Sequence, residues 1–173
     1  MRGGHIPDSA LIARPVCPLR SVLVASPEYL ARRGIPQKPE DLTSHKLIGQ
    51  RFLGGSVAPW SFELDDGTMV TFDPAHTASL TLSSSGSLIE AALDGVGIAQ
   101  VGVLPAWDAM NAGRLKILLF DQHVPAEYKM VMHYPHRGLL ASRVEVTLDH
   151  LAMCFERDEN LQVPMSRLSE FAA

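Results

Sequence analysis

The chain has 173 residues, 46% hydrophobic and 20% charged, a globular composition long enough for one domain or two small lobes. The formal net charge of -4 argues against a nucleic-acid surface within these residues, and no apolar run approaches the roughly 20 residues of a membrane helix. Met1-Arg2-Gly3-Gly4-His5 has no apolar core and does not read as a signal peptide.

In chain order, Leu11-Ile12-Ala13 reads as an edge strand or a strand end, cut off by the prolines at 15 and 18. Ser21-Val22-Leu23-Val24-Ala25 is a good strand. Ser26-Pro27-Glu28 starts a helix that Gly34 stops. Pro39-Glu40-Asp41-Leu42 makes one helical turn at most, and Lys46 to Phe52 is a strand followed by a Gly54-Gly55-Ser56 loop. Trp60-Ser61-Phe62-Glu63-Leu64 alternates as a half-buried strand, turns at Asp65-Asp66-Gly67 and returns through Thr68 to Phe72 as a hairpin.

Leu80 and Leu82 then lead into Ser83-Ser84-Ser85-Gly86-Ser87, a run of hydroxyls suited to capping a helix. Ser87-Leu88-Ile89-Glu90 fits a capping box, the helix continues to Asp94, and Gly95 stops it. Val96 to Val103 is a buried strand, Pro105 sits in the first turn of a helix through Asn111, and Leu115 to Leu119 is a further strand. A βαβ unit whose helix begins in a hydroxyl-rich loop suits a small anion or carboxylate. After Phe120, Tyr128 to His133 is a strand. Ser142 can cap a last helix whose Val144, Leu148, Leu151 and Phe155 share one face. The tail from Glu156 to Ala173 mixes charge with Asn160 and Pro164 and is expected to fray.

Chemistry of other kinds finds little support. Gly95-x-Gly97 follows a helix and precedes a strand, the reverse of a dinucleotide fingerprint. His133 and His136 have no neighbouring carboxylate cluster, and His5, His76 and His123 are scattered, so no metal site is expected. No Gly-x-Ser-x-Gly elbow exists, and Asp65 and Asp66 are solvated turn residues, so no catalytic residue and no cofactor is assigned. Cys17 and Cys154 stand far apart and read as unpaired buried thiols in a reducing cytoplasm.

Several stretches resemble the effector-binding domain of LysR-type transcriptional regulators. They are Pro7-Asp8-Ser9-Ala10-Leu11-Ile12-Ala13-Arg14-Pro15, Val24-Ala25-Ser26-Pro27-Glu28-Tyr29-Leu30, and the Trp60-Ser61-Phe62 hairpin with its Asp66-Gly67 turn. Glu90 to Ala99, Ala112-Gly113-Arg114-Leu115, Tyr134-Pro135-His136-Arg137 and Arg143-Val144 complete a series running from about Gly3 to Phe155. The resemblance implies an α/β, type II periplasmic-binding-protein-like two-lobe fold, with lobe I incomplete and lobe II intact. Residues 1–26 and 124–155 would form partial lobe I with crossover strands, 27–123 lobe II, and 156–173 the frayed tail. It implies a cytoplasmic, non-enzymatic domain that senses a small-molecule effector, a carboxylate among the candidates, in the inter-lobe cleft. It also implies a homodimer or tetramer, with Ser87 to Asp94 and Ser142 to Phe155 as candidate contact helices. DNA would be met only through a helix-turn-helix absent from this chain, and no membrane is involved. A solute-binding protein of a transporter shares the fold and is the alternative.

Ligands of open α/β sheets bind beyond the carboxyl ends of the strands. Ser83, Ser84 and Ser85 are expected to hold the polar group of the effector, Gln50 and Arg51 to add hydrogen bonds or charge, and Phe52 and Cys17 to form an apolar wall. Gly4 lies at another strand end expected to face the effector. Where the family often carries Asn in the serine loop, this chain has three serines.

Overall fold

The computed structural model describes residues 12–52, 54–125, 128–134, 142–158, 161 and 163–173. The chain divides into two compact units, one of residues 1–20 and 127–164, the other of residues 21–126 and 165–173.

In the first unit, β1 (Ile12–Leu19) pairs antiparallel with β10 (Tyr128–Tyr134), from Ile12 opposite Tyr134 to Leu19 opposite Tyr128. β1 runs unbroken through Pro15 and Pro18, against the expected interruption. Among the described residues β1 and β10 form a two-stranded ribbon in which each strand is an edge, and an edge strand tolerates a residue without an amide proton. The register shifts between Pro15 and Cys17, so Val16 forms a bulge. α4 (Ser142–Arg157) lies against β1, and Arg14 reaches Asp149 across the contact (2.8 Å), an exposed pair of small energetic value.

The expected inner face of α4 is partly correct. Ala152 is buried and Leu148 and Phe155 half-buried, whereas Val144 and Leu151 sit exposed at the rim. Val146 (69% exposed) and Met153 (47%) lie about half a turn away and form a second, outward apolar stripe. Cys154 is exposed, contrary to expectation, with its Sγ 3.5 Å from His150 Nε2 one turn earlier.

The second unit is built on a five-stranded sheet of β2 (Ser21–Ala25), β3 (Leu47–Gln50), β6 (Leu80–Leu82), β7 (Ile98–Gly102) and β8 (Lys116–Leu118) in the order β6-β3-β7-β2-β8. β3 runs parallel to both β6 and β7, while β2 runs antiparallel to β7 and β8. The central strands are apolar runs, with buried Gln100 the one polar exception, because helices cover them: Val22 to Ala25 and Ile98 to Val101 are all buried. β4 (Trp60–Glu63), β5 (Met69–Phe72) and the short β9 (His123–Val124) form a second sheet in the order β5-β4-β9, the hairpin turning at Asp66-Gly67 as expected. Trp60 and Phe62 alternate inward from β4 and join Leu23, Tyr29, Leu42, Leu47 and Ile98 in one core.

α1 (Pro27–Arg33) starts where its cap residue predicts, the Ser26 hydroxyl accepting from Tyr29 N (3.3 Å), and ends at Gly34. α2 (Ser85–Leu93) differs. Its N-cap is Ser84, so Ser87 lies inside the first turn and the expected capping box does not form. The earlier start gives a longer helix that buries Leu88, Ile89 and Ala92, which a six-residue helix from Leu88 would hold poorly. Gly95 follows with φ +67, and its carbonyl accepts from Arg32 (3.2 Å). α3 (Val103–Asn111) leaves β7 without a loop, two residues ahead of Pro105.

The described end of the tail is ordered into short helical turns. α5 (Met165–Leu168) and a 3-10 turn at Ser169–Phe171 return to the second unit, where Leu168 is fully buried. Ala172 forms a parallel bridge with Ile117 of β8, and Ala173 N donates to the Ile117 carbonyl (3.0 Å). Trp107 and the open edge of β8 supply an apolar seat that the charged residues of this stretch conceal in the sequence.

Candidate functional site

The parallel register of β3 with β6 and β7 brings three strand ends to one edge of the five-stranded sheet: Gln50 after β3, Leu82 after β6 and Gly102 after β7. The beginning of β2 joins them, because Ser21 pairs with Gly102. Six of the expected residues lie here. Arg51 N donates to the Leu82 carbonyl (2.8 Å), which ties the chain leaving β3 to the start of the serine loop. Phe52 N donates to Ser56 O (2.9 Å) and Ala58 N to Gln50 O (2.9 Å), so the loop folds back beside the strand end. Gln50 is half-buried, while Arg51 and Phe52 are exposed.

Ser83, Ser84 and Ser85 are all exposed at the start of α2. Ser84 has extended backbone, and its carbonyl accepts from Leu88 N (3.1 Å), but its hydroxyl caps no amide. The first amides of α2, at Ser85, Gly86 and Ser87, have no intrahelical acceptor, as in any first turn. A Cβ at Gly86 would lie 3.7 Å from Ser84 Oγ, an ordinary van der Waals contact, so the glycine is not required by space here.

Cys17 belongs to the other unit, on β1. It is buried, and burial, aided by the charge of Asp158, pushes its thiol pKa up, so it is an inert apolar residue. Gly4 and His136 lie outside the described residues.

The helix start expected at Pro105 also lies on this edge, a placement the sequence did not reveal. α3 begins at the end of β7 with Gly102 as its N-cap and no side chain bonded to its first amides. The sheet order places β3 between β6 and β7, so the Gln50–Phe52 segment emerges between the N-termini of α2 and α3. Ser21, facing Gly102, carries a buried hydroxyl oxygen with no partner among the described residues. The signal for the helix start itself was present in Gly102-Val103-Leu104-Pro105, a glycine cap with proline in the first turn. Both helix dipoles and Arg51 place positive potential at this edge. Among the described residues no group of three His, Cys, Asp or Glu could hold a metal ion, and no helix is long and apolar enough to cross a membrane.

The family model of the LysR substrate binding domain matches residues 1–154. The chain belongs to that family. Among curated proteins, it is 37% identical over 154 residues to an uncharacterized HTH-type transcriptional regulator, YhjC, of Escherichia coli K12, covering 88% of this chain and 50% of that protein. It is 32% identical over 152 residues to the HTH-type transcriptional regulator CrgA of Neisseria meningitidis serogroup C, with coverage of 87% and 49%. The solved structure of the CrgA regulatory domain superposes with a TM-score of 0.72 at 29% identity, covering 88% of this chain and 72% of that one. Full-length AphB of Vibrio cholerae, at 24% identity and TM-score 0.75, shows the same fold. This LysR-family chain therefore has the expected periplasmic-binding-protein-like architecture, and it spans about half the length of the curated relatives it matches. Those relatives are transcriptional regulators, which does not favour the reading as a transporter's solute-binding protein.

Proposed function

We propose that this chain is the effector-sensing part of a LysR-type transcriptional regulator and binds a small carboxylate at the carboxyl edge of its five-stranded sheet. One observation carries the reading: the end of β3, with Gln50, Arg51 and Phe52, emerges between two helix N-termini that no side chain caps. First-turn amides and hydroxyls of Ser83, Ser84 and Ser85 would hold the carboxylate, and Arg51 would add its charge. Phe52, 39% exposed, would cover the apolar part of the effector. Cys17, buried on β1, would be a packing residue and not a ligand contact. The intact regulator would act as a dimer or tetramer and meet DNA through a helix-turn-helix in another part of the protein. Effector binding would shift its equilibrium between states by their difference in affinity.

The test is calorimetric titration of the chain with mono- and dicarboxylates against their neutral amides. Ser84→Asp places a carboxylate at the N-cap, where it stabilises the helix but repels an anionic ligand. It should weaken binding by at least about tenfold, or 1.4 kcal/mol, while leaving the melting temperature equal or higher. Unchanged affinity in this variant, or no carboxylate bound at millimolar concentration, would remove the serine loop from the site.

For association, the two helices named from the resemblance differ. α2 commits Leu88, Ile89 and Ala92 to its own core, whereas α4 presents Val146 and Met153 outward. We assign the self-contact to α4. Val146→Asp is expected to convert a concentration-dependent dimer into a monomer in sedimentation velocity, because a buried unpaired charge is costly at such a contact. A dimer of undiminished strength would place the interface elsewhere.

A further inference from the structure

α4 carries two metal-ligating side chains one turn apart on its exposed side. His150 and Cys154 are both exposed, and Cys154 Sγ stands 3.5 Å from His150 Nε2. Tetrahedral zinc takes thiolate sulfur at about 2.3 Å and imidazole nitrogen at about 2.0–2.1 Å, which sets the two donors about 3.5–3.6 Å apart around the metal. The pair therefore already has the spacing of two zinc ligands. Among the described residues no group of three His, Cys, Asp or Glu could hold a metal ion, so one chain supplies half of a closed site.

The face on which the pair lies points to what supplies the other half. Val146, His150, Met153 and Cys154 follow one another at helical spacing, so the donors sit within the outward apolar stripe. Leu148, Ala152 and Phe155 occupy the opposite side, toward their own unit. An isologous contact repeats every residue across a two-fold axis. An axis passing between His150 and Cys154, near the middle of α4, brings two sulfurs and two imidazoles to one point. Two Cys and two His are a closed structural zinc set, and the apolar side chains of Val146 and Met153 from both copies would keep water from it.

We propose that His150 and Cys154 form half of a zinc site that the same pair on a second copy of this chain completes. On binding, each thiol gives its proton to solvent, and the two thiolates balance the zinc(II) charge with no change of oxidation state. The ion binds the paired state and not the single chain, so it tightens self-association by mass action. The inference rests on the assignment of the self-contact to α4, and it stands whether or not the carboxyl edge of the sheet binds an effector.

The experiment uses the 173-residue chain without a histidine tag, reduced and freed of metal by a chelator. Zinc(II) is titrated while sedimentation velocity reads association and native mass spectrometry counts the ions. Cobalt(II) serves as the spectroscopic probe, because thiolate ligation gives it a charge-transfer band. The expected result is one zinc per two chains, a dimer dissociation constant lowered at least about tenfold, and the thiolate band with cobalt. His150→Ala and Cys154→Ser, both at exposed positions, should lose the zinc response without a lower melting temperature. Cys154→His keeps a ligand and should recover part of the zinc response without the thiolate band, while buried Cys17 is left in place throughout. Three results would overturn the proposal: one zinc per chain, an undiminished response in Cys154→Ser, or a dimer whose strength zinc leaves unchanged. In the last case a metal-free dimer that Val146→Asp still dissociates would remove the zinc site alone and leave the α4 contact standing. A metal-free dimer indifferent to both zinc and Val146→Asp would remove the two together.

Discussion

Gly97→Ala is expected to destabilise the second unit by about 3 kcal/mol, at the upper end of overpacking costs. A Cβ at Gly97 would stand 2.3 Å from the carbonyl oxygen of Lys46 and 2.9 Å from its carbonyl carbon. Both are backbone atoms with no rotamer to yield. The same carbonyl accepts the hydrogen bond of Ile98 N (2.9 Å) that opens the parallel pairing of β3 with β7. Relief of the clash must separate the strands at their first rung, in the middle of the sheet. Gly54, around which a Cβ would meet nothing within 4 Å, supplies the contrast, and Gly54→Ala should change stability by no more than about 0.5 kcal/mol. Both tryptophans, Trp60 and Trp107, lie in this unit, so urea unfolding followed by tryptophan fluorescence reads the difference directly. Equal midpoints for the two variants would refute the argument.

Acid should remove about 3 kcal/mol from the same unit between pH 6.5 and 4, at 1.36 kcal/mol for each pH unit between the two pKa values. The group responsible is His123 on β9, 8% exposed, edge-on to Phe62 and 3.4 Å from Gln100 Oε1. Burial lowers its pKa from 6.5 to about 4. The unfolded chain therefore takes up a proton that the folded chain refuses. The contribution is whole above pH 6.5 and is lost progressively as the pH falls to about 4. His123→Gln keeps a polar group near Gln100 and removes the larger titration, so its stability should fall much less across this window, the remainder coming from His45, whose pKa burial also lowers. Asp41 and Asp66 do not confuse the reading. Backbone amides of Gln37 and Thr68 respectively hold their carboxyls below the usual range, so they titrate at lower pH. A parent and a His123→Gln variant with the same slope would show that another group is responsible.

Much of the second unit was legible because its signals are local. Ser26-Pro27, the Asp66-Gly67 turn and Gly95 each impose one backbone geometry, and the structure adopts all three. The serine run was legible as a helix start but not in its register, since Ser83, Ser84, Ser85 and Ser87 can each cap. The choice fell to the burial of Leu88, Ile89 and Ala92, which depends on the sheet beneath. The start of α3 as a partner to that of α2 required the strand order, which no local pattern contains. Pro15 and Pro18 hid β1 because their cost depends on whether a second neighbour strand exists. The tail was missed because Phe171 and Ala172 find partners on α3 and β8, at Trp107 and Ile117 far earlier in the chain, and charged neighbours mask them.

The reversed strand β2 also sets a schedule for the nascent polypeptide. Its neighbours are β7 and β8, near residues 100 and 117, so its backbone donors wait for most of the chain before any rung can close. The ribbon waits longer still, because β1 needs β10. Contacts so distant along the chain make for slow closure after a large loop entropy has been met. Ribosome-bound intermediates should carry the apolar run Val22 to Ala25 unpaired, and in that interval a holdase chaperone would find its binding segment.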